Sequence, residues 1–420
     1  MTKYRLMFIV ATFLAVAVED VLAADDPKPA IWPQWRGPTR DGFVSGSDWP
    51  GRISDSKLKV SWRLGSLGPS YSGPIVTEDR VFITETIDKK QEVVRCLNRK
   101  TGEEIWKKDW TGSLTVPFFA ARNGSWIRST PAFDGKALYI AGIRDVLVCL
   151  EARDGSERWR FDFTKEFKAP LPAFGFVCSP LVDDSGVYVQ AGAAFVKLDK
   201  KSGTVIWKTL QDDGGMFGSA FSSPVFGKLA GRDQVLVQTR LKLAGVDREK
   251  GDVLWSRPIP ADRGMNILTP VQIGDTIYTS SYGGGSRLVS LAPVNGVLSS
   301  VEVWTTKYQG YMTTPIVIDG FAYHFGRDRK FVCVNLKTGE ETWRSERRFG
   351  EYWSMVAQKN KILALDASGK LYLIQANPKE FQLLDEVEVS KAETWAHLAV
   401  CGDEIFVRDL DGLTAFRWSK

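Results

Sequence analysis

The chain is 420 residues long and 44% hydrophobic, with 55 basic against 50 acidic residues for a formal net charge of +5. That apolar share is ample for a packed core, and beyond the N-terminal leader no run is long and apolar enough to read as a transmembrane segment. The basic residues are scattered through turns such as Lys89-Lys90 and Lys107-Lys108 instead of forming a stripe, which excludes a nucleic-acid footprint.

Lys3 and Arg5 precede an apolar run over residues 6–18, and Val21-Leu22-Ala23 offers a small-residue cleavage site before Ala24. Residues 1–23 therefore read as a secretory signal peptide, and the mature protein is expected to be exported, periplasmic or secreted. The first cysteine is Cys96, so no lipid anchor on an N-terminal cysteine is expected. Residues 24–57 carry Trp32-Pro33-Gln34-Trp35-Arg36-Gly37-Pro38, two Trp and an Arg among turn formers, which read as a lid packing on the domain C-terminal to it.

Residues 58–420 form one repeat domain, although the length alone would suggest two or three. A small residue and Pro open each copy, with the Pro at Pro74, Pro131, Pro180, Pro224, Pro270 and Pro315, spaced by 57, 49, 44, 46 and 45 residues. Two further copies replace that Pro, at Tyr352-Trp353-Ser354-Met355 and Thr394-Trp395-Ala396-His397. A strand-rich period of about 40–50 residues is the mark of a β-propeller blade. In the third copy, residues 180–182, 187–191, 195–199 and 205–208 read as four short strands divided by Asp, Ser and Gly turns. Most copies close on Gly-x-x-x-Trp, and Trp62, Trp106, Trp159, Trp207, Trp255, Trp304 and Trp343 are expected to wedge between neighbouring blades. The eighth copy stops after three strands, while residues 58–64 form a strand with no blade of their own. Joining the two closes the circle and removes an exposed edge. The sequence thus predicts an all-β, eight-bladed propeller of four-stranded antiparallel blades, with seven blades as the alternative.

Cys96, Cys149 and Cys333 fall at matching places on third strands, too far apart in a ring to pair, and read as small buried hydrophobes. Cys178 and Cys401 are left without an assigned bridge.

The small-Pro-x-Val opening and the Leu-Asp-x-x-Ser-Gly-x-x-x-Trp close resemble the pyrroloquinoline quinone (PQQ) repeat. It is the repeat of the quinoprotein alcohol dehydrogenases and of the outer-membrane-assembly lipoprotein BamB, both eight-bladed. The Trp32–Gly42 segment is similar to the opening of secreted PQQ-repeat proteins abundant in planctomycetes. The resemblance implies the ring over residues 58–418, but this chain lacks the paired adjacent cysteines of many quinoprotein dehydrogenases. Their calcium-binding Glu, Asn and Asp also find no matching positions. The chain departs from BamB in lacking the lipidation cysteine.

Chemistry-bearing residues are few. His324 sits in an alternating strand, and His397 takes the place of a landmark Pro; neither gathers a triad or a metal set. Gly283-Gly284-Gly285 lacks the Lys and the strand-to-helix setting of a phosphate loop. The distinctive constellation is positional. The loops just before the eight landmarks should gather at one mouth of the ring, and they are rich in aromatics: Tyr71; Phe118, Phe119 and Trp126; Phe174 and Phe176; Met216, Phe217 and Phe221; Tyr308 and Tyr311; Tyr352 and Trp353; Trp395. Met265 adds a flexible apolar member, and Arg122, Arg128, Arg263, Asn266, Lys307, Arg348 and Glu351 are interspersed. Tyr71, Arg128, Phe221, Asn266, Tyr311, Trp353 and Trp395 are the candidate partner- or ligand-binding residues. No catalytic or metal-ligating residue is assigned. The favoured expectation is a non-catalytic scaffold that presents this aromatic funnel to a protein, peptide or envelope polymer and needs no cofactor. The alternative is a reduced PQQ-dependent dehydrogenase holding PQQ with calcium, Trp353 or Trp395 stacking on the quinone. A glycan-binding module would use the same rings.

Overall fold

The turn before each closing strand shows how the repeat builds a blade. Asn98 Oδ1 accepts from the N–H groups of Lys100 (2.9 Å) and Thr101 (3.1 Å), and Gly102 takes the left-handed φ of 76° that ends the turn. Asp199 and Asp247 hold the same turn before Gly203 and Gly251. An Asx side chain satisfying its own turn, followed by a residue free to adopt positive φ, is the local chemistry a tight hairpin needs.

A computed structural model describes residues 29–54, 56–214, 218–294 and 297–419; the expected signal peptide lies outside them. It contains eight four-stranded sheets, each an antiparallel meander. Seven span residues 75–111, 132–162, 181–209, 225–258, 271–306, 316–344 and 353–388 (blades 1–7), and blade 8 combines residues 399–418 with the strand Leu58–Leu64. That strand pairs antiparallel with Leu413–Trp418, from Leu58 opposite Trp418 to Leu64 opposite Leu413, and so closes the ring as expected. Among the described residues helix is confined to short pieces at Phe118–Asn123, Phe163–Phe167 and Asp262–Gly264.

The core is laid between blades. Ile75, Phe82, Val94 and Cys96 of blade 1 pack with Leu138, Ile140, Val148 and Leu150 of blade 2, and equivalent layers follow round the ring. The closing-strand Trp residues join these layers. Trp62 donates its indole N–H to the carbonyl of Arg99 in the next blade at 2.9 Å, and its ring lies so close over Gly102 that a Cβ there would come within 2.5 Å. Trp106, Trp159, Trp207 and Trp304 repeat this with the carbonyls of Ala152, Lys200, Arg248 and Leu336 and with Gly155, Gly203, Gly251 and Gly339. Trp255 departs, because the next blade carries the long strands Gly285–Val294 and Val297–Thr306 in place of the short turn; its indole donates to Gln234 within its own blade at 2.7 Å. All five cysteines are buried and unbridged. Cys96, Cys149 and Cys333 lie opposite Trp106, Trp159 and Trp343 in their ladders.

The small residue before each landmark Pro also has a physical cause. Gly73 N–H donates to Thr130 Oγ1 (2.9 Å), Thr130 N–H to Ser179 Oγ (3.1 Å) and Ser179 N–H to Ser223 Oγ (2.9 Å). Ser223 N–H continues to Thr269 Oγ1 (3.3 Å), and Thr269 N–H to Thr314 Oγ1 (3.1 Å). A belt of hydroxyls thus ties six consecutive blades around the axis and satisfies backbone donors that the ladders do not reach.

The N-terminal segment attaches to the far end of the innermost strands, away from the loops that precede the Pro landmarks. Trp32 exchanges both backbone bonds with Val76 (2.7 and 3.0 Å), and Pro33 accepts from Phe133 N–H (2.8 Å). Arg40 donates to the carbonyls of Pro180 (2.6 Å) and Ser179 (3.0 Å), Arg36 to that of Pro315 (3.2 Å), and Val44 N–H to that of Ala357 (2.8 Å). Blades 1, 2, 3, 6 and 7 are all engaged. The expected lid is therefore a plug across the opposite end of the channel from the aromatic loops. Among the described residues no helix is long and apolar enough to cross a membrane.

Candidate binding cup on the ring axis

In an antiparallel meander, the loop entering the innermost strand and the hairpin between the second and third strands emerge on the same face. On that face the structure holds a cavity of about 370 Å³ to which the entering loops of all eight blades contribute: Tyr71 (blade 1), Arg128 (2), Phe174 (3), Phe221 (4), Met265 (5), Tyr311 (6), Tyr352 (7) and Trp395 (8). Trp35 of the plug reaches in from the other end and lines the floor beside Thr130, Ser179, Ser223, Thr314 and His397. The site is a cup closed at the bottom, inside the size range of ligand pockets.

Five of the seven candidate residues, Tyr71, Arg128, Phe221, Tyr311 and Trp395, line this cavity. Two do not. Trp353 is fully buried in the layer between blades 6 and 7, stacked on Phe325 (centroids 4.9 Å apart, planes at 10°) and on Tyr372 (5.5 Å, 21°). Asn266 is buried behind the wall, its Nδ2 donating to the carbonyls of Thr239 (2.9 Å) and Arg240 (3.1 Å). Of the wider set, Phe176 is core and Tyr308 packs on His324 at 5.2 Å. Phe118 stands on the rim, 90% exposed, while Met216 and Phe217 lie outside the described residues. Sequence reasoning missed Trp35 as the floor, and it missed Tyr282. The latter sits in the hairpin between Thr276–Ser281 and Gly285–Val294, which strand counting alone places on the mouth face.

The rings are already organised. Trp395 stacks on Tyr352 of blade 7 (5.5 Å, 9°) and on Tyr71 of blade 1 (5.2 Å, 28°), the blades on either side of its own. Its indole N–H is held by Glu393 Oε2 at 2.8 Å. Arg128 lies over Tyr71 at 5.7 Å and donates to the carbonyls of Gly124 (2.9 Å) and Trp126 (3.3 Å). Burial holds its guanidinium down to about 10, still protonated at neutral pH. The same effect raises the Tyr71 and Tyr352 phenols to about 12. On the floor, burial and then the Arg36 guanidinium push the His397 imidazole down to about 3, so it is neutral; its Nδ1 donates to the carbonyl of Leu398 at 2.9 Å and its ring meets Trp35 edge-on at 5.9 Å. The charged lining is Arg128, Arg263 and Glu351, and Glu351 faces Arg122 at 3.7 Å. Among the described residues no group of three or more His, Cys, Asp or Glu gathers as a metal set.

A family model described as "Outer membrane protein assembly factor BamB" matches residues 89–345. The outer membrane protein assembly factor BamB of Moranella endobia is 23% identical over 361 residues, covering 82% of this chain and 85% of that protein. Quinohemoprotein alcohol dehydrogenase ADH-IIG of Pseudomonas putida is 25% identical over 284 residues, which cover 61% of this chain and 38% of the enzyme. Among solved structures, BamB from Moraxella catarrhalis shares the fold, with a TM-score of 0.61 at 15% identity over 86% of this chain and 98% of that one. With the repeat, the eight closed blades and a family match over more than half its length, the chain belongs to the BamB family of PQQ-repeat propellers.

Proposed function

We propose that this protein is an exported, non-catalytic scaffold of the BamB type that receives an extended polypeptide in the aromatic cup. The observation that carries the reading is the cup itself: all eight blades send loops to one mouth, most of them bearing an aromatic ring, and Trp35 closes the floor. Rigid aromatic anchors with a few arginines are the composition of binding hot spots. The BamB relatives, named as outer membrane protein assembly factors, supply the partner class and the exported setting.

The quinone alternative fits the same residues poorly. A planar quinone needs an open aromatic face, but Trp395 is flanked by Tyr71 and Tyr352, and Trp353 is stacked between Phe325 and Tyr372 outside the cavity. The cavity lining offers one carboxylate, Glu351, toward a calcium ion, which takes six to eight oxygen ligands.

The test places a photo-crosslinking side chain at Phe221 or Tyr311, and at exposed Val205 on an outer strand as a control. An unfolded outer-membrane polypeptide should crosslink from Phe221 and Tyr311 and not from Val205. Equal yields at all three positions would defeat the reading.

A further inference from the structure

We propose that the cup receives a polypeptide end-on, by its C-terminus, taking a free carboxylate together with an apolar or aromatic last side chain. The proposal deepens the polypeptide reading above and rests on it.

Three observations lead there. First, the cup is blind. The plug is fastened to blades 1, 2, 3, 6 and 7, so a chain cannot thread through the ring, and about 370 Å³ suits a chain end better than a folded segment. Second, its wall and floor hold guanidiniums whose hydrogen bonds go to carbonyls and amides. Arg128 on the wall bonds to the carbonyls of Gly124 and Trp126. Behind the floor, Arg36 and Arg40 are buried on the Trp35 ring, each 5.6 Å from its centroid; Arg36 bonds to carbonyls, and Arg40 to carbonyls and the Gln34 side-chain amide. Arg263 adds a cation at the rim, over Phe119 at 5.7 Å, while the one acid of the lining, Glu351, is answered by Arg122. Cations therefore outnumber the acid in the lining, and a cleft with low-dielectric walls focuses the field of its excess charge on the opposite sign. An entering ammonium would be repelled by Arg128 and by the two guanidiniums buried behind Trp35, whereas an entering carboxylate would gain a charge-assisted hydrogen bond from Arg128, whose Nη1 is not used on the Gly124 and Trp126 carbonyls. Third, the rest of the wall is apolar and aromatic, with Phe174, Phe221, Met265, Ile267, Tyr311 and Trp395 around it. A highly hydrated anion such as phosphate gains little from such a wall, whereas a carboxylate carried beside an apolar side chain gains from both.

The experiment titrates the full mature protein, by calorimetry, with an acetylated hexapeptide ending in phenylalanine as the free acid and with the same peptide as its C-terminal amide. The free acid should bind about tenfold or more tightly than the amide, the difference expected of a charge-assisted hydrogen bond, and the gap should narrow as salt rises. Arg128→Gln should cut affinity for the acid about tenfold and so close most of the gap between acid and amide. The acid–amide contrast in the unaltered protein decides the matter even if that variant loosens its loop. Equal affinity of acid and amide would overturn the proposal while leaving polypeptide binding intact. No binding of either peptide, together with no crosslinking of the longer unfolded chain, would overturn both. Binding of acetylphenylalanine as tight as that of the hexapeptide acid would also overturn it, since the site would then serve a small aryl carboxylate rather than a chain end.

Discussion

Trp353 and Trp395 hold matching places in the seventh and eighth repeats, each second in the motif that replaces the landmark Pro, and they end in opposite surroundings. Blade 7 starts its strand at Trp353 itself, paired with Asp366, so the alternation of the ladder turns the indole into the layer between blades, among Phe325, Phe331, Phe349 and Tyr372. Blade 8 starts four residues later than its tryptophan, at Ala399, which leaves Trp395 in the entering loop and in the cup. One cements the ring; the other lines the cup. The onset of a strand, and not the residue type, decides which role an aromatic takes.

That contrast can be broken by substitution. Trp353→Ala should produce the largest loss of stability, about 3–5 kcal/mol for truncating a fully buried aromatic, with little change in polypeptide affinity once the protein is folded. Arg40→Ala comes next at about 2–4 kcal/mol, since it removes the guanidinium donor to the buried Pro180 carbonyl and leaves the Ser179 carbonyl only the weak Cys178 thiol; denaturant unfolding reads both. Gly251→Ala should cost about 1–2 kcal/mol or more, because φ is +78° and the new Cβ would come within 2.7 Å of the Trp207 ring. Trp395→Ala should cost least, below about 2 kcal/mol, yet remove most of the binding. If Trp353→Ala and Trp395→Ala gave equal stability losses, the division between cement and cup would fail.

The buried titratable groups sharpen the picture through pH. Burial pushes the imidazoles of His324 and His397 down to about 3, whereas an unfolded chain protonates them near ~6.5. Between those values the unfolded state binds more protons, so these groups make stability fall as pH falls. Glu92 and Asp145, pushed up to about 7 by burial, act with the opposite sign from pH 7 down to their ordinary range near ~4, because there the folded state binds more protons. The two pairs oppose each other between pH 6.5 and 4, and of these four groups only the histidines act below that window. His324→Gln should therefore tilt the curve toward rising stability on acidification in that window, whatever it does to the absolute value. An unchanged slope in denaturant titrations at pH 6.5 and 4.5 would contradict the assignment.

Much of the ring is legible in the sequence because turns and periods are local. Asn98, Asp199 and Asp247 announce their hairpins, and the Gly-x-x-x-Trp spacing marks five of the eight closing strands. What the spacing does not carry is the partner: that Trp62 docks on Gly102 of the next blade, or that Thr130 accepts from Gly73, depends on neighbours brought together by ring closure. Five of the seven candidate residues reach the cup because an entering loop must reach the mouth. A strand boundary takes Trp353 away from it, and Asn266 turns its side chain back to the Thr239 and Arg240 carbonyls. Trp35 reads as part of a lid and is a floor, since nothing in residues 24–57 tells which end of the channel they close.

The most direct test is a calorimetric titration of the mature protein and its Trp395→Ala variant, in parallel, with an unfolded outer-membrane polypeptide and with PQQ plus calcium. The account predicts saturable binding of the polypeptide that weakens at least about tenfold in the variant, and no saturable heat with PQQ. Saturable, calcium-dependent PQQ binding that is lost in Trp395→Ala, with the polypeptide bound equally by both proteins, would contradict it.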